Sequence, residues 1–538
     1  MEEKRRRFSE KGKKFSFRKQ NRDFGKPRRE KDDTIKGIEK MYGKYLKIME
    51  AELPLGESFD LLEREVIIGG RKGTMFFVDG LTDGELMQRV MDYLMKVQPE
   101  DMEGIVTSSR FIAGHLPFLD ATLAAPKTEN GPAAGEPKTW TEQQIRECCA
   151  QAQTRLYAGL VPLMVEGLDQ IIIIDARDYP LRSVEEPDKE KSLRGARDGF
   201  TESFMQNIAL IRRRLRDNNL IFRNFSIGNL SKSDVAMVYI RGKADPALVE
   251  HTKKLLRGME QEPDLDALTV GDQSLLEKIL MMTRREGKKR WAGGRFNPFP
   301  KVRYSQRPDI ISAHIAEGKI AIIVDNSPTV MLLPVGIFDF LQDVDDYYFP
   351  QLTGNYFRLL RTLNFLVILF LTPVYLLLVN DEVFNPDVLL FFVPDEPFAI
   401  PLIWQFLLLE IAVDGLKLAS LNTPQSLGMS LSVIGALILG EFSIESGWFI
   451  PQTILCMAVV ALASFTQPSI ELSYGVKFTR VLMLIGTYLF GLWGMIAGAA
   501  VSFLVMASTR TLSGGSYLYP LIPFRWNALK RLLFRTEV

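Results

Sequence analysis

The sequence predicts an α/β soluble N-terminal region of two subdomains, followed by an all-α polytopic membrane domain of short, broken helices. Charges are scattered evenly up to about Arg361 and nearly vanish from Thr362 to Ser508, where Leu, Ile, Val, Phe, Ala and Gly dominate. Such a composition shift implies two solvents. Within the first part, short apolar runs bounded by turn residues alternate with stretches of helical period, the pattern of an α/β domain.

The 66 Lys plus Arg nearly cancel the 65 Asp plus Glu, so overall charge gives no reason to expect a nucleic-acid partner. Residues 1–34 are the exception, with 14 basic against 7 acidic side chains and no apolar stretch. They are expected to form a solvated, disordered tail that stays in the cytoplasm; a clamp on anionic lipid or nucleic acid is the sharper alternative. Cys148, Cys149 and Cys456 have no framework spacing and are expected to be reduced thiols.

The first subdomain, 35–125, opens with strands at Val66–Gly70 and Thr74–Val78 joined by a Gly-rich turn. A helix follows, with Thr82 and Glu85 at capping-box spacing and Leu86, Val90, Tyr93, Leu94 and Val97 on one face. Residues 126–140, rich in Gly, Pro and Ala, read as a linker. The second subdomain, 141–357, then supplies strands at Leu160–Val165, Gln170–Asp175 and Asp234–Tyr239, and helices at Glu202–Leu215 and Pro246–Arg257.

Chemistry is hard to find in this region. The loop from Asp175 to Phe200 sets arginines and carboxylates beside glycines and could cradle an anion, but a salt-bridged loop that docks a neighbouring subunit or domain is favoured because no phosphate-binding glycine fingerprint follows a strand. His115, His251 and His314 lack partners at zinc-like spacing, and no nucleophile elbow or metalloprotease motif occurs, so neither an enzyme nor a cofactor or metal is expected.

The membrane domain is placed at 358–510, with a cytoplasmic tail at 511–538. Thr362–Asn380 has the length of one span. The stretch behind it, Asp381–Phe398, carries acids and no Lys or Arg, whereas Arg358 and Arg361 precede the span, so the first crossing runs outward. Ile400–Ala412, Gly428–Gly440 and Thr453–Phe465 are shorter apolar stretches, and Lys477 and Arg480 mark a cytoplasmic loop. Val481–Ala507, punctuated by Gly486, Gly491, Gly494 and Gly498, must turn back as a broken hairpin if the basic tail is to lie inside. Five to six segments with both termini cytoplasmic are expected. Acids at membrane depth each cost about 2.5 to 3.5 kcal/mol and so face protein or water. Glu410, Asp414, Glu441, Glu445 and Glu471 are therefore candidates for an ion pathway; the alternative is that they sit at span ends among headgroups.

A series of motifs resembles a known family. It runs through Glu185-Glu-Pro-Asp188, Arg194-Gly-Ala-Arg-Asp-Gly-Phe-Thr-Glu202, Asn297-Pro-Phe-Pro300, Val302-Arg-Tyr304, Arg307-Pro-Asp309, His314, Glu317-Gly318 and Ala321-Ile-Ile-Val-Asp325 with Ser327-Pro328. It continues in Asn422-Thr-Pro424, Pro468, Glu471-Leu472 and Tyr517-Leu-Tyr-Pro-Leu-Ile-Pro-Phe524. In this order the motifs resemble the A subunits of bacterial spore germination receptors, the GerA family, and within it the SpoVAF-like branch. The resemblance implies a multi-pass protein of the spore inner membrane, active in germination, whose membrane part joins copies of itself into a channel for small ions. Its partners would be itself, other spore germination membrane proteins and the lipid bilayer. Arg194, Arg197, Arg307, Asp309 and Asp325, in the motif blocks before the first span, are expected to relay movement or contact subunits. A secondary transporter and a non-conducting scaffold for germination receptors are the competing readings.

Overall fold

The computed structural model of the chain describes residues 28–117, 119–124, 140–179, 194–228, 232–260, 275, 297–343, 345–380, 393–394, 400–422 and 443–534. Two five-stranded antiparallel sheets form the N-terminal region, and apolar helices follow.

Sheet 1 runs in the order β1 (Leu61–Ile68), β2 (Arg71–Val78), β4 (Val161–Val165), β5 (Ile172–Ile174), β3 (Ala121–Leu123). The β1–β2 turn needs glycine, because Gly69 and Gly70 have φ of 54° and 76° and a Cβ on Gly69 would stand 3.0 Å from the Gln98 carbonyl oxygen. Helices α1 (Arg28–Glu52) and α4 (Glu142–Leu156) pack Ile38, Met41, Cys148, Cys149 and Leu156 on one face; α2 (Gly84–Leu94) and α3 (Ser108–His115) pack Val90, Leu94 and Phe111 on the other. Burial pushes the Cys148 thiol up to about 11 and the Cys149 thiol up to about 12, so both are protonated and inert at neutral pH. The cap of α2 differs from expectation: Asp83 accepts from the Glu85 and Leu86 backbone N–H groups, while the Thr82 hydroxyl donates to the Val78 carbonyl.

Sheet 1 also corrects the subdomain boundary. The turn residues around 126–140 do not separate two units, since β3 before them pairs with β5 beyond them, Ala121 opposite Ile174, and β2 pairs with β4. Runs such as Val161–Val165, buried at every residue, need neighbours on both sides and so complete the sheet begun before residue 125. The Gly/Pro-rich stretch marks an insertion within one sheet; its residues 125–139 lie outside the described residues. The basic tail is shorter than expected, because α1 begins at Arg28, and residues 1–27 are not described.

Sheet 2 runs β6 (Leu220–Ile227), β7 (Ser233–Ile240), β9 (Ile320–Val324), β10 (Val330–Leu333), β8 (Arg303–Ser305). Helix α6 (Pro246–Met259) covers one face through Leu248, Leu255 and Leu256. On the other face α5 (Phe204–Arg214) and α7 (Pro308–Ala316) begin a core that continues into the apolar helices through Ile368, Leu472, Val476 and Met483. The two sheets are fastened by Arg212, whose side chain is fully buried: its Nε donates to Asp60 at 2.7 Å, Nη2 donates to the other Asp60 oxygen at 2.9 Å, and the guanidinium lies between Tyr157 and Phe222.

Short helices α8 (Ile337–Leu341) and α9 (Asp345–Tyr348) lead into α10 (Gln351–Asn380), then α11 (Leu402–Asn422), α12 (Pro451–Phe465), α13 (Ile470–Ser508) and α14 (Trp526–Leu533). Both α10 and α13 are long and apolar enough to cross a bilayer. The stretch expected to end near Ala412 is a longer helix, α11, carrying Glu410, Asp414 and Lys417 within it. Lys477 and Arg480 are not in a loop either; they lie in the first half of α13. That helix breaks at Phe490 and Gly491, the latter with φ 55° and ψ −137°, and its halves fold against each other. A Cβ on Gly494 would collide with the Gly486 carbonyl, and one on Gly498 would stand 3.0 Å from Met483 Cα. Residues 8 and 15 apart would be about 12 and 22 Å apart along an unbroken helix, so the glycines let two helical arms pack backbone to backbone. The stretch Gly428–Gly440 lies outside the described residues.

Candidate functional site

Four apolar helices, α10 to α13, and one sheet edge line a cavity of about 810 Å³ whose walls carry charge. Helix α11 contributes Glu410 and Asp414, one turn apart; α13 contributes Glu471, Lys477 and Arg480; β8 and the turn before β10 contribute Ser305 and Thr329. Arg480 Nε donates to Glu410 Oε1 at 2.8 Å and its Nη1 to the Ile368 carbonyl at 3.0 Å, with the two side chains only 4% and 7% exposed. Lys477 pairs with Asp414 and stands 3.4 Å from Glu410 Oε2. Lys477 and Arg480 are three residues apart, the spacing that puts two side chains on one helix face.

The depth of this cluster follows from α10. Gln467 Nε2 donates to the Arg361 carbonyl at 3.2 Å, at the start of the apolar run, while Arg480 meets the carbonyl of Ile368, seven residues further. At 1.5 Å per residue, Arg480 meets α10 about 10 Å beyond the start of its apolar run. A guanidinium there is tolerable only if paired and hydrogen-bonded, and Glu410 with the Ile368 carbonyl supplies both. Gln467 Oε1, also on the cavity wall, is buried without a hydrogen-bond partner.

A second buried cluster joins α9 to α10. The fully buried Asp346 carboxylate takes Arg361 at 2.7 Å and Arg358 at 3.4 Å, and Arg361 also reaches Asp343 at 3.8 Å. A third lies at the foot of sheet 2. Arg307 Nη2 donates to Asp309 at 2.7 Å, and the Tyr348 hydroxyl donates to the same oxygen at 3.1 Å. Burial opposes the Arg307 charge, but the Asp309 carboxylate outweighs it and holds the guanidinium above its ordinary value. Nearby His314 lies 3.1 Å from Glu317, 3.3 Å from Lys319 and 3.5 Å from Arg303. Burial, helped by Lys319 and Arg303, lowers its pKa. Asp339, although burial pushes it up, is held below the usual carboxylate range by Lys319 at 2.6 Å and the Gly336 N–H. Glu317 is lowered chiefly by its bond to His314.

Of the expected pathway residues, the structure brings Glu410, Asp414 and Glu471 to one cavity. Glu410 is paired with Arg480 rather than presented as a free carboxylate. Glu445 is exposed in a three-residue helical turn away from that cavity, and Glu441 lies outside the described residues. Of the relay residues, Arg307 and Asp309 form one ion pair, whereas the Arg194 and Arg197 side chains are exposed. What their segment contributes is backbone: Ala196 offers its carbonyl to Arg307 at 3.4 Å, and Gly195 sits where a Cβ would strike the Tyr348 ring. Asp325 lies elsewhere, in a separate cavity with Glu202 and Asp234. Sequence reasoning missed the cationic half of the main cluster; the i, i+3 pair Lys477 and Arg480 was its signal.

The family model described as "Bacillus/Clostridium GerA spore germination protein" matches residues 49–538. Similar proteins include stage V sporulation protein AF of Bacillus subtilis (strain 168), 33% identical with 90% of each chain covered. Spore germination protein KA of the same organism is 27% identical over 91% of this chain and 83% of its own length. Among solved structures, the N-terminal domain of the A subunit of the Bacillus megaterium spore germinant receptor GerK3 is 21% identical, with a TM-score of 0.35, covering 53% of this chain and 92% of that one.

Proposed function

Since the chain belongs to the GerA family of spore germination proteins, we propose that it is a non-catalytic spore-membrane subunit that joins copies of itself to conduct small ions during germination. Other spore germination membrane proteins are its proposed neighbours, and both termini are placed on the cytoplasmic side. The observation that carries this reading is the Glu410–Arg480 and Asp414–Lys477 cluster, whose Arg480 meets α10 about 10 Å beyond the start of its apolar run. Burying two ion pairs at that depth costs several kcal/mol and gives little net stability, so the arrangement is better explained by function than by folding.

The cluster suggests how conduction could be controlled. With the pairs closed, an ion meets neutralised groups. If α13 withdraws Lys477 and Arg480, α11 presents two carboxylates one turn apart, a favourable site for a cation. The cavity is walled partly by the edge of sheet 2 at Ser305 and Thr329, so movement of the soluble region alters it directly. One chain leaves much apolar surface uncovered, including Trp493 at 77% and Leu504 at 64% exposure, which neighbouring copies or lipid would cover.

The test is conductance of the purified protein in planar bilayers. Current from the native chain that changes in ion selectivity in Asp414→Asn supports the proposal. Flux that requires a coupled solute points to a transporter, and silence under all conditions points to a scaffold; either result rejects the conduit.

A further inference from the structure

Beyond the hairpin the chain returns to sheet 2 and then leaves it again. Asn297 Nδ2 donates to Thr509 Oγ1 at 2.8 Å, Ile337 N–H donates to the Tyr517 carbonyl at 3.0 Å, and Tyr517 and Leu518 are buried. From Tyr519 onward the character reverses. Tyr519, Leu521, Ile522, Phe524, Trp526 and Phe534 are all exposed, although five of the six fall within eight residues of one another. Helix α14 is amphipathic: Leu529 is buried, and the Leu532 carbonyl accepts from Arg358 Nη1 at 3.3 Å, while Trp526 and Lys530 face outward.

That docking fixes a level. Arg358 precedes Thr362, the start of the apolar run of α10, by four residues, or about 6 Å along the helix. The exposed aromatic cluster therefore sits beside the boundary of the apolar layer. Charge points the same way: from residue 509 to 536 the chain holds Arg510, Arg525, Lys530, Arg531 and Arg535 and no Asp or Glu. Aromatic rings at headgroup level, with basic side chains among them and acids excluded, match an anionic bilayer surface and not the mixed-charge rim of a protein contact.

We infer that residues 519–534 form an interfacial foot that docks on anionic phospholipid headgroups, holding α14, and through Arg358 the start of α10, at the cytoplasmic leaflet. The foot rests on the membrane placement of α10 and α13 proposed above. Through Arg358 it also touches Asp346, so lipid charge would bear on the buried cluster that joins α9 to α10.

The test is a nitroxide at position 526 of the full-length protein in nanodiscs, compared with one at position 501 in the apolar hairpin, each probed with oxygen and a water-soluble nickel chelate. With phosphatidylglycerol present, both positions should favour oxygen. In discs of phosphatidylcholine alone, position 526 should move toward the chelate and position 501 should not. Each basic side chain near an anionic surface contributes about five-fold to binding, so R525Q/K530Q should shift the docked-to-undocked ratio by about 25-fold. Position 526 in water at every lipid composition, with position 501 in lipid, overturns the foot alone. Shielding of position 526 from both reagents, independent of lipid charge, assigns the surface to a protein and also overturns it. Position 501 in water rejects the membrane placement itself.

Discussion

Neutralising Glu410 should destabilise the membrane part more than neutralising its partner Arg480. Glu410→Gln leaves the Arg480 guanidinium, 4% exposed, without its carboxylate partner and held by the Ile368 carbonyl, while Lys477 beside it stays paired with Asp414. Removing one member of a buried pair costs about 3 to 5 kcal/mol. Arg480→Gln is milder because Lys477, already 3.4 Å from Glu410, can take over the carboxylate; a cost of about 1 to 3 kcal/mol follows from the lost hydrogen bonds. The double variant restores neutrality and should be less damaging than the sum of the singles by about 2 kcal/mol. SDS titration of the full-length protein in mixed micelles, with all four chains compared, reads these differences. A larger loss for Arg480→Gln, or strict additivity, would refute the shared-cation geometry.

Three further outcomes follow from the same structure. Gly491→Ala, at φ 55° in the hairpin turn, should cost about 1 to 3 kcal/mol in the same titration, while Gly415→Ala, with open space around it, should cost nothing. Arg212→Met strands the buried Asp60 carboxylate and should lower the thermal midpoint of the soluble region, with a loss of about 3 to 5 kcal/mol; adding Asp60→Leu should recover much of it. Acidification should weaken the foot of sheet 2, since His314 is held below its ordinary 6.5 and the unfolded chain therefore binds the proton first. Stability is full above about pH 6.5 and falls below it; His314→Gln should flatten the decline just below pH 6.5, shrink the part set by Glu317, which His314 lowers, and leave chiefly the part set by Asp339, held down by Lys319 and the Gly336 N–H. Hydrogen exchange of α7 against pH measures both parts.

What could be read from the sequence was what local pattern determines. Strands such as Ile172–Ile174 are buried on both faces, and an apolar run that short has few other uses. The glycines at 486, 491, 494 and 498 announced a hairpin because only glycine lets helix backbones meet so closely. Pairing between distant segments left no such mark. Nothing near Asp60 indicates Arg212, 152 residues away, and nothing in the Pro- and Gly-rich stretch after Ala124 says that the chain will return to the same sheet. Charge sign misled where it was used alone: Lys477 and Arg480 resemble a cytoplasmic loop by the positive-inside rule, yet each has a carboxylate partner on α11.

The same pairing couples the sheet region to the apolar helices. One apolar core runs from Ile323 and Val330 in sheet 2, through Ile311 on α7, to Ile368 on α10 and Met483 on α13. Close-packed interiors transmit displacement instead of absorbing it. Arg480 bonds to Ile368, within that core, and to Glu410, outside it on α11. A shift of sheet 2 against α10 would therefore load the Arg480–Glu410 contact, which together with the Asp346–Arg361 cluster lies along its path. On the function proposed above, charge at that contact is what a signal in the soluble region would act on.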